Sequence, residues 1–589
     1  MLSVFAVLVF FMTFRSVGRL GSHIVGDSGD SLLNAWIIGW VQHAIPMGWH
    51  EIWNTSIFFP AKNTLAFSDP LLPVAIVEWP LRLLLGRVLG LNVLMLAAQT
   101  AGLWFTYRLA LRLTSSWPAS FIAALTFGFA SVQLSQLGHS QLTVTAFFVP
   151  LIVLLVVEYF DAPTMFRGAA IGVALGLLAT SAAYYTVLMA VSVTVLVVAY
   201  LLICRSARSF QFLRGIGVAV LVAVVITLPV ARQYVGLQDD PHFRRDPVPE
   251  LQAHLGDFLA PSDSSELLAD IEPFAGYVRV RSVERQLFPG VIALTFGAVG
   301  LIVVLRLARP QPRRARSRQT AARNDGERDA RLALVIGAAG LASLVLAFGS
   351  SVMIFGVDIP LPWRVLDHGV PGFSGIRVTS RLALMAQCSL AVMAAFGLRA
   401  LLRLMSPRIA FATAIVLAGL VLAETAVKVQ LVEVPSGAAV EAVNRELAAR
   451  PPGVVVELPM RAEPDLAPWP FTEVPRQYLS LIDNNDRVNG YSGFAPEGHD
   501  QFAATANTFP AAEALAEFRR DRVRYVVLRL RVIGQLPPAM LSLLKVDGTG
   551  RYTRATAEKM ISQIPAEKLR RVTKLPGAYL IELRPGRKQ

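Results

Sequence analysis

Long apolar segments recur along the chain, and shorter polar segments separate them. Most apolar segments hold about 20 residues, the length of helix that crosses a hydrocarbon core of about 30 Å. The pattern therefore predicts a polytopic α-helical membrane protein with about eleven transmembrane helices. The predicted spans are residues 1–17, 90–111, 117–137, 141–160, 168–183, 185–204, 214–234, 288–306, 331–349, 381–401 and 408–427. The first lacks a basic start and a small-residue cleavage site, so we expect a retained anchor.

The segment between the first two spans, residues 18–89, is too mixed in polarity to lie in the hydrocarbon core throughout. Its tryptophan content is typical of the membrane–water boundary. Asp30–Ile45 and Pro70–Leu85 have helical apolar spacing with a polar side, which predicts two helices lying along the membrane surface. The connection Ser56–Asp69 is predicted to be a loop.

Residues 428–589 change character and predict a small soluble α/β domain. Short apolar runs flanked by turn residues are typical of buried strands. The predicted strands are 453–458, 524–528 and 578–582, and the predicted helices are 444–449 and 511–519. The segment contains no Rossmann or P-loop motif. Membrane and soluble domains are therefore expected at 1–427 and 428–589.

Charge assigns a direction to these elements. The chain is 54% hydrophobic and 16% charged, with a formal net charge of +14. The arginines concentrate in alternate loops, most densely at residues 307–330, so topology explains the positive charge better than nucleic-acid binding does. The N-terminus is then cytoplasmic in a bacterial inner (plasma) membrane. The loops 18–89, 235–287 and 350–380 and the C-terminal domain face outward. The two cysteines have no CxxC or His partner, so we expect neither a disulfide framework nor a zinc site.

Two aspartates follow the first apolar segment, in Gly26-Asp27-Ser28-Gly29-Asp30-Ser31. A carboxylate at the membrane surface can accept a proton from an acceptor hydroxyl as that hydroxyl attacks an electrophile, so Asp27 and Asp30 are candidate catalytic bases. Either can instead orient the acceptor or bind a divalent cation. The structural alternative for Asp30 is an N-cap of the following helix. A carboxylate flush with the bilayer needs a partner or a function, which favours Asp27.

Four more outward residues are candidates for substrate binding: Asp69, His139, Tyr184 and Tyr185. The alternative for Asp69 is an N-cap of the second surface helix, with Pro70 at the first helical position. His139 can contact a phosphate or a hydroxyl, or be a solvated loop residue. The tyrosines can stack on a sugar or a bound lipid, or belong to the interfacial aromatic belt.

Arg377 and Arg381 lie one helical turn apart at the outward start of a predicted span. Arginine binds phosphate through two parallel hydrogen bonds and keeps its charge in a low-dielectric site. Outward arginines also run against the positive-inside bias, so their presence needs a reason. Phosphate binding and snorkelling to lipid headgroups both supply one.

This arrangement resembles the GT-C superfamily of integral-membrane glycosyltransferases. The resemblance rests on the acidic motif after the first span, a first outward loop with two surface helices, many spans and an outward C-terminal domain. The Arg377/Arg381 region and the loop Asn489-Gly490-Tyr491-Ser492-Gly493-Phe494 are also similar to bacterial membrane proteins of the YfhO type.

The resemblance implies a membrane glycosyltransferase that transfers a sugar from a polyprenyl-phosphate donor to an extracytoplasmic glycan, lipid or protein acceptor. Asp27 or Asp30 would be the general base for direct, inverting attack at the anomeric carbon. Arg377 or Arg381 would hold the donor phosphate, and Tyr491 joins the substrate-binding candidates. Many members carry adjacent or once-spaced acids, whereas two residues separate the aspartates here. Which aspartate is the base, and whether a divalent cation is held, stay open.

Two other functions compete with this interpretation. A transporter or flippase of a lipid-linked glycan typically places polar residues near the bilayer midplane, often with inverted repeats. Here the polar candidates gather on one face and no clear repeat is present. A non-catalytic assembly protein would use the C-terminal domain to bind a partner. The sequence leaves the sugar, the acceptor and the oligomeric state open.

Overall fold

The structure is a computed structural model. It describes residues 1–15, 17–26, 28–204, 210–238, 243, 251–271, 274, 276, 282–309, 318–354, 356–369, 376–460, 469–530 and 552–585. Asp27, the favoured candidate base, lies outside the described residues.

The helices of the N-terminal two-thirds alternate between long and short elements. They are α1 (Leu2–Thr13), α2 (Asp30–Ala44), α3 (Trp49–Trp53), α4 (Leu72–Leu85), α5 (Arg87–Thr114), α6 (Trp117–Gly128), α7 (Ser131–Leu134), α8 (Ser140–Thr143), α9 (Phe148–Asp161), α10 (Met165–Ala179), α11 (Ala183–Ile203), α12 (Phe210–Gln238), α13 (Val291–Leu307), α14 (Arg318–Ala347), α15 (Trp363–Gly369), α16 (Ala383–Leu402) and α17 (Pro407–Glu424).

The C-terminal third mixes short helices with strands. Its helices are α18 (Ala438–Ala448), α19 (Trp469–Leu479), α20 (His499–Ala506), α21 (Ala512–Arg520) and α22 (Arg554–Ser562). The strands of the whole chain are β1 (His23–Val25), β2 (Ser351–Ile354), β3 (Val357–Pro360), β4 (Leu431–Glu433), β5 (Val454–Leu458), β6 (Val523–Arg529), β7 (Leu569–Leu575) and β8 (Ala578–Leu583).

The chain is a multi-pass helical membrane protein, as predicted. Within the described residues, seven helical segments are long and apolar enough to cross a membrane: Arg87–Thr114, Ser140–Asp161, Ala183–Ile203, Phe210–Leu237, Gly326–Ala347, Thr379–Leu402 and Pro407–Glu424. The shorter apolar helices α1, α6, α10 and α13 lie at the positions of the other predicted spans. The number of eleven crossings stays a prediction.

Two predicted elements differ in extent from the observed ones. The predicted span 117–137 is a helix only as far as Gly128, and the short α7 follows it. The predicted basic loop 307–330 is helical from Arg318 onward, because α14 continues well beyond the apolar segment. Residues 310–317 of that loop lie outside the described residues.

One compact unit consists of Met1–Arg15, Val93–Ala231 and Arg244–Val429. In it, α13 and α16 approach until their backbones are almost in contact. A Cβ on Gly300 of α13 would overlap the carbonyl oxygen of Met393, and one on Gly397 of α16 would overlap that of Phe296. Small residues that let helices approach closely are a main source of helix association in membranes. This crossing therefore depends on both glycines.

Gly300→Ala should lower the free energy of unfolding by about 1–3 kcal/mol, because the added methyl meets backbone that cannot rotate away. Gly419→Ala in α17 is the matched control, since nothing lies within 4 Å of a Cβ at that position. The control should be neutral or gain up to about 1 kcal/mol of helix propensity. Denaturant unfolding in detergent measures both. Equal effects of the two substitutions would contradict the close crossing.

The second compact unit consists of Ser16–Asn92, Arg232–Phe243 and Gln430–Gln589. Its sheet has the order β5-β6-β8-β7, with β5 parallel to β6 and the other pairs antiparallel. The predicted strands correspond to β5, β6 and β8. β7 was not predicted, because Arg570, Arg571 and Lys574 break up its apolar residues. As an edge strand, β7 can carry such charges, which discourage pairing with another chain.

Residues 18–89, which the sequence assigned to the membrane domain as its first outward loop, belong to this second unit. β1 pairs with β4, and α2 packs against α4 and α19. The Phe58 N–H donates to the Asn489 carbonyl (3.2 Å), and the Phe59 N–H donates to the Arg487 carbonyl (2.8 Å). The last segment of the unit begins at Gln430.

A buried ionic cluster lies beneath the carboxyl ends of β5 and β6. Glu457 is fully buried, and its carboxylate accepts hydrogen bonds from Arg529 Nε (2.7 Å) and Arg487 Nε (3.3 Å). Arg487 also donates to both carboxylate oxygens of Asp483 (3.0 and 2.8 Å). Glu473 accepts from Arg476 Nη1 at 2.9 Å. Buried charges are tolerated only when they are paired in this way.

Candidate functional site

The acidic segment is held by backbone on both sides of Asp27. Residues 23–25 form β1, which pairs antiparallel with β4, and the Gly26 N–H donates to the Gln430 carbonyl at 2.9 Å. On the other side, the Ser31 hydroxyl donates to the Val25 carbonyl at 2.9 Å. The Asn92 amide donates to the carbonyls of Leu20 and His23. A glycine- and serine-rich segment is thereby fixed at the start of α2.

Asp30 is the first residue of α2, and Gly29 occupies the N-cap position. The structural alternative, in which Asp30 caps the helix, is therefore wrong. Asp30 is half-buried, in the first turn of a helix of which nearly every residue is buried. The N-terminal end of a helix carries partial positive charge, which stabilises an ionised carboxylate there. The Asp30 side chain is thus held by the protein at the start of α2.

Asp69 does not cap the second helix of the loop either. α4 begins at Leu72, its N-cap is Leu71 in the left-handed conformation, and Pro73 rather than Pro70 lies in the first turn. Asp69 is half-buried in the segment before this cap. The Tyr234 hydroxyl donates to the neighbouring Ser68 carbonyl at 2.8 Å. Tertiary contacts therefore set the position of Asp69.

Tyr491 lies in the glycine- and aromatic-rich loop of the same unit. Its N–H donates to the Gln477 side-chain oxygen at 2.9 Å. The preceding Gly490 lies against Phe58, since a Cβ there would come within 2.9 Å of the ring. The second unit thus holds three of the described candidates: Asp30, Asp69 and Tyr491.

The first unit contains a cluster around Glu284, a residue that sequence reasoning missed. Arg381 Nε donates to Glu284 Oε2 at 3.0 Å, and Arg381 Nη2 forms an ion pair with Oε1. The Gln136 amide donates to Oε2 at 3.0 Å, and His139 Nε2 lies 3.9 Å from Oε1. The Arg381 guanidinium also lies over the Tyr184 ring, 4.6 Å from its centroid. Arg381, His139 and Tyr184, three separate candidates from the sequence, therefore lie together around an acid.

Charge in this cluster is balanced inside the protein. Burial alone would raise the pKa of Glu284, but the Arg381 charge and hydrogen bonds lower it below its ordinary value. Arg381 is therefore neutralised by Glu284. A buried arginine needs an acid partner, which is the sequence signal that could have led to an acid such as Glu284. Tyr185 is buried, and Arg377 is exposed.

Glu284→Gln should lower the free energy of unfolding by about 3 kcal/mol, because it leaves a nearly buried guanidinium without its counter-charge. Adding Arg381→Met should recover most of this loss, since the uncompensated charge is then gone. A double-mutant cycle from thermal unfolding in detergent measures the coupling. Additive single effects would show that the pair is energetically unimportant.

A divalent cation was an open candidate for this site. Among the described residues no group of three or more His, Cys, Asp or Glu side chains is placed to hold a metal ion. Asp27 lies outside that part of the chain, so cation binding stays a prediction.

Solved structures are similar to this chain in fold. The arabinofuranosyltransferase AftD from Mycobacteria matches with a TM-score of 0.58 and 15% identity, over 99% of this chain and 40% of that one. The archaeal oligosaccharyltransferase AglB from Archaeoglobus fulgidus matches with a TM-score of 0.40 and 12% identity, over 90% of this chain and 69% of that one. ArnT from Cupriavidus metallidurans matches with a TM-score of 0.38 and 13% identity, over 98% of this chain and 96% of that one.

The likeness to AftD carries the assignment of fold, and the two weaker likenesses carry no argument. The predicted GT-C fold, with many helices and a C-terminal α/β region, is confirmed. The chain spans about 40% of the AftD structure that it matches, and the identity is low, so activity does not follow from the likeness. No protein-family model matches the chain, and no curated protein matches it in sequence.

Proposed function

We propose that this chain, which has the fold of the GT-C superfamily, is a membrane glycosyltransferase that uses a polyprenyl-phosphate-linked sugar. The acceptor is an extracytoplasmic glycan, lipid or protein. The single observation that supports this most is the acidic segment between β1 and α2, whose described flanks are held by the β1–β4 pairing and the first turn of α2. In this proposal the N-terminus is cytoplasmic and the second unit faces outward, in the inner (plasma) membrane.

In the proposed reaction, the acceptor oxygen attacks the anomeric carbon of the donor sugar. Asp27 or Asp30 takes the proton from the acceptor hydroxyl as the new bond forms. The bond between the anomeric carbon and the phosphate oxygen breaks, and its electron pair leaves with polyprenyl phosphate. A preorganised carboxylate suits this step, because it needs no rearrangement as charge develops.

The donor phosphate needs cationic partners, and the two predicted arginines differ in this respect. Arg381 is already engaged by Glu284, whereas Arg377 is exposed. We therefore assign the phosphate-holding role to Arg377 and a positioning role to Arg381. His139, Tyr184, Tyr185, Asp69 and Tyr491 remain proposed substrate-binding residues.

The test is turnover of lipid-linked sugars by the purified full chain in proteoliposomes. A panel of radiolabelled polyprenyl-phosphate sugars is supplied together with a membrane extract as acceptor source. We expect free polyprenyl phosphate and a labelled product from at least one donor. The assay is run once with EDTA and once without it. Labelled lipid that crosses the bilayer chemically unchanged would instead support the transporter interpretation. Lack of both turnover and transport across the panel would favour a non-catalytic assembly protein.

A further inference from the structure

A cavity of about 220 Å³ in the second unit lies apart from the acidic segment. It is lined by Gly39, His43, Arg82, Arg87, Leu481 and Asn484. Gly39 and His43 belong to the second half of α2, whereas Asp30 begins that helix. At about 1.5 Å per residue, the 13 residues from Asp30 to His43 correspond to about 20 Å. The cavity is therefore a different place from the proposed catalytic centre.

The lining is cationic. In the described part of the chain, neither Arg82 nor Arg87 forms an ion pair within 4 Å. Arg87 lies near the Tyr478 ring, at 5.8 Å from its centroid. Glu78, whose charge acts on Arg82, is buried and accepts a hydrogen bond from the Gln42 amide. Two guanidinium groups thus line one cavity, and no carboxylate of the described residues forms an ion pair with either.

Packing holds the two arginines close together although their charges repel each other. Gly86, with φ +84°, turns the chain sharply between α4 and α5. A Cβ on Gly90 would come within 2.8 Å of the Glu78 carboxylate and within 3.0 Å of the backbone nitrogen of Arg82. The first turn of α5 therefore lies directly on α4. The charge of Arg87 contributes, after burial, to lowering the pKa of Arg82 below its usual value. A bound anion would remove this repulsion.

The other polar groups suit a phosphate oxygen. Burial, followed by the charge of Arg82, lowers the pKa of His43 below its usual value, so the imidazole is neutral at pH 7 and can donate one hydrogen bond. Asn484 supplies an amide. Arginine pairs with phosphate through two parallel hydrogen bonds, which makes a two-arginine cavity better suited to phosphate than to a single carboxylate.

The surroundings of the cavity are apolar and exposed. Leu83 and Leu84 follow Arg82 directly and are 73% and 81% exposed. Met47 and Trp49 follow His43 and are also exposed. A helix whose apolar face is exposed beside cationic groups is typical of segments that lie in the membrane interface. Trp prefers the headgroup level. A cationic cavity with such a rim fits a ligand that is charged at one end and apolar at the other.

We propose that this cavity binds the phosphate group of an anionic membrane lipid and fastens the first outward loop to the membrane surface. The site goes beyond the proposed transfer reaction, because it lies at the opposite end of α2 from the acidic segment and holds a lipid that is not consumed. Two guanidinium groups and the His43 and Asn484 side chains receive the phosphate, and the exposed leucines receive the chains.

The test is isothermal titration of the purified full chain in neutral detergent with dioctanoyl phosphatidic acid. Inorganic phosphate and dioctanoylglycerol are the two comparison probes. We expect tight binding of phosphatidate and binding of inorganic phosphate that is at least tenfold weaker. The uncharged lipid should show no saturable binding. Equal affinity for inorganic phosphate would overturn the lipid assignment, and equal affinity for dioctanoylglycerol would overturn the phosphate assignment.

Arg82→Gln with Arg87→Gln should weaken phosphatidate binding at least tenfold, and each single substitution at least threefold. Arg519→Gln is the control, because Arg519 is an exposed arginine of the same unit. Thermal melting without lipid shows whether each variant is folded. If the double variant is unfolded, the two single variants provide the test. Undiminished binding by the folded variants would overturn the site. Asp30→Asn should bind phosphatidate as the wild type does, so loss of transfer and loss of this site are separately visible.

Discussion

Replacing either Asp27 or Asp30 with asparagine should reveal the base, because one of the two variants should lose transfer activity by about 10²–10⁴-fold. Asparagine keeps the size of the side chain but cannot accept the proton of the acceptor hydroxyl. The other variant should lose less, through weaker acceptor orientation. Initial rates of polyprenyl phosphate release in proteoliposomes, at saturating donor, measure the effect.

Asp500→Asn is the matched control for this substitution. Asp500 also lies in the first turn of a helix of the second unit, α20, and is exposed. It should retain wild-type rates, and all three variants should still unfold cooperatively on heating, which shows that they are folded. If both Asp27→Asn and Asp30→Asn transferred sugar at the rate of the control, the first-loop carboxylates would have no catalytic role.

Glu457→Gln should lower the free energy of unfolding of the second unit by about 4–5 kcal/mol, near the upper end for removing one partner of a buried ion pair. The substitution leaves Arg529 and part of Arg487 without the carboxylate that pairs with them at the ends of β5 and β6. Glu473→Gln, in the same cluster, is the contrasting variant. Glu473 forms an ion pair with Arg476 alone among the described residues, and burial raises its pKa above the ordinary value, so Glu473→Gln should cost less than Glu457→Gln.

Acid titration gives this prediction a second readout. Burial raises the pKa of Glu457, but the charges of Arg529, Arg487 and Arg476 outweigh it and hold that pKa below its ordinary value. A carboxyl with a lowered pKa stabilises the folded state above its unfolded pKa, about 4.3, and loses this contribution as the pH falls through the folded pKa. Glu457→Gln should therefore flatten the loss of stability below about pH 4.3. Equal stability of the 457 and 473 variants would contradict this account of the cluster.

The membrane part of the fold was predictable because a span is a local property of the sequence. Apolar length alone located elements such as α11 and α16 to within a few residues. The prediction of helix ends failed where polarity changes within one helix. α14 begins at Arg318, far before its apolar segment, so a charged stretch was taken for a loop.

The candidate site was harder to predict, because its residues are brought together by long-range contacts. Nothing local in the sequence indicates that Phe59 pairs with Arg487, about 430 residues away, or that Glu284 pairs with Arg381. The carboxylate of Asp30 and the arginines were found from residue type and position alone. Their partners needed the structure, which also showed that Arg381 already has a counter-charge.

The central claim is that a first-loop carboxylate activates an acceptor for direct attack on a lipid-linked sugar. The anomeric configuration of the product tests it most directly, because a single displacement inverts the configuration at the anomeric carbon. The measurement is the NMR configuration of the new glycosidic bond formed by wild-type protein in proteoliposomes from a donor of known anomer. The account predicts inversion relative to the donor, and a product with retained configuration would contradict it.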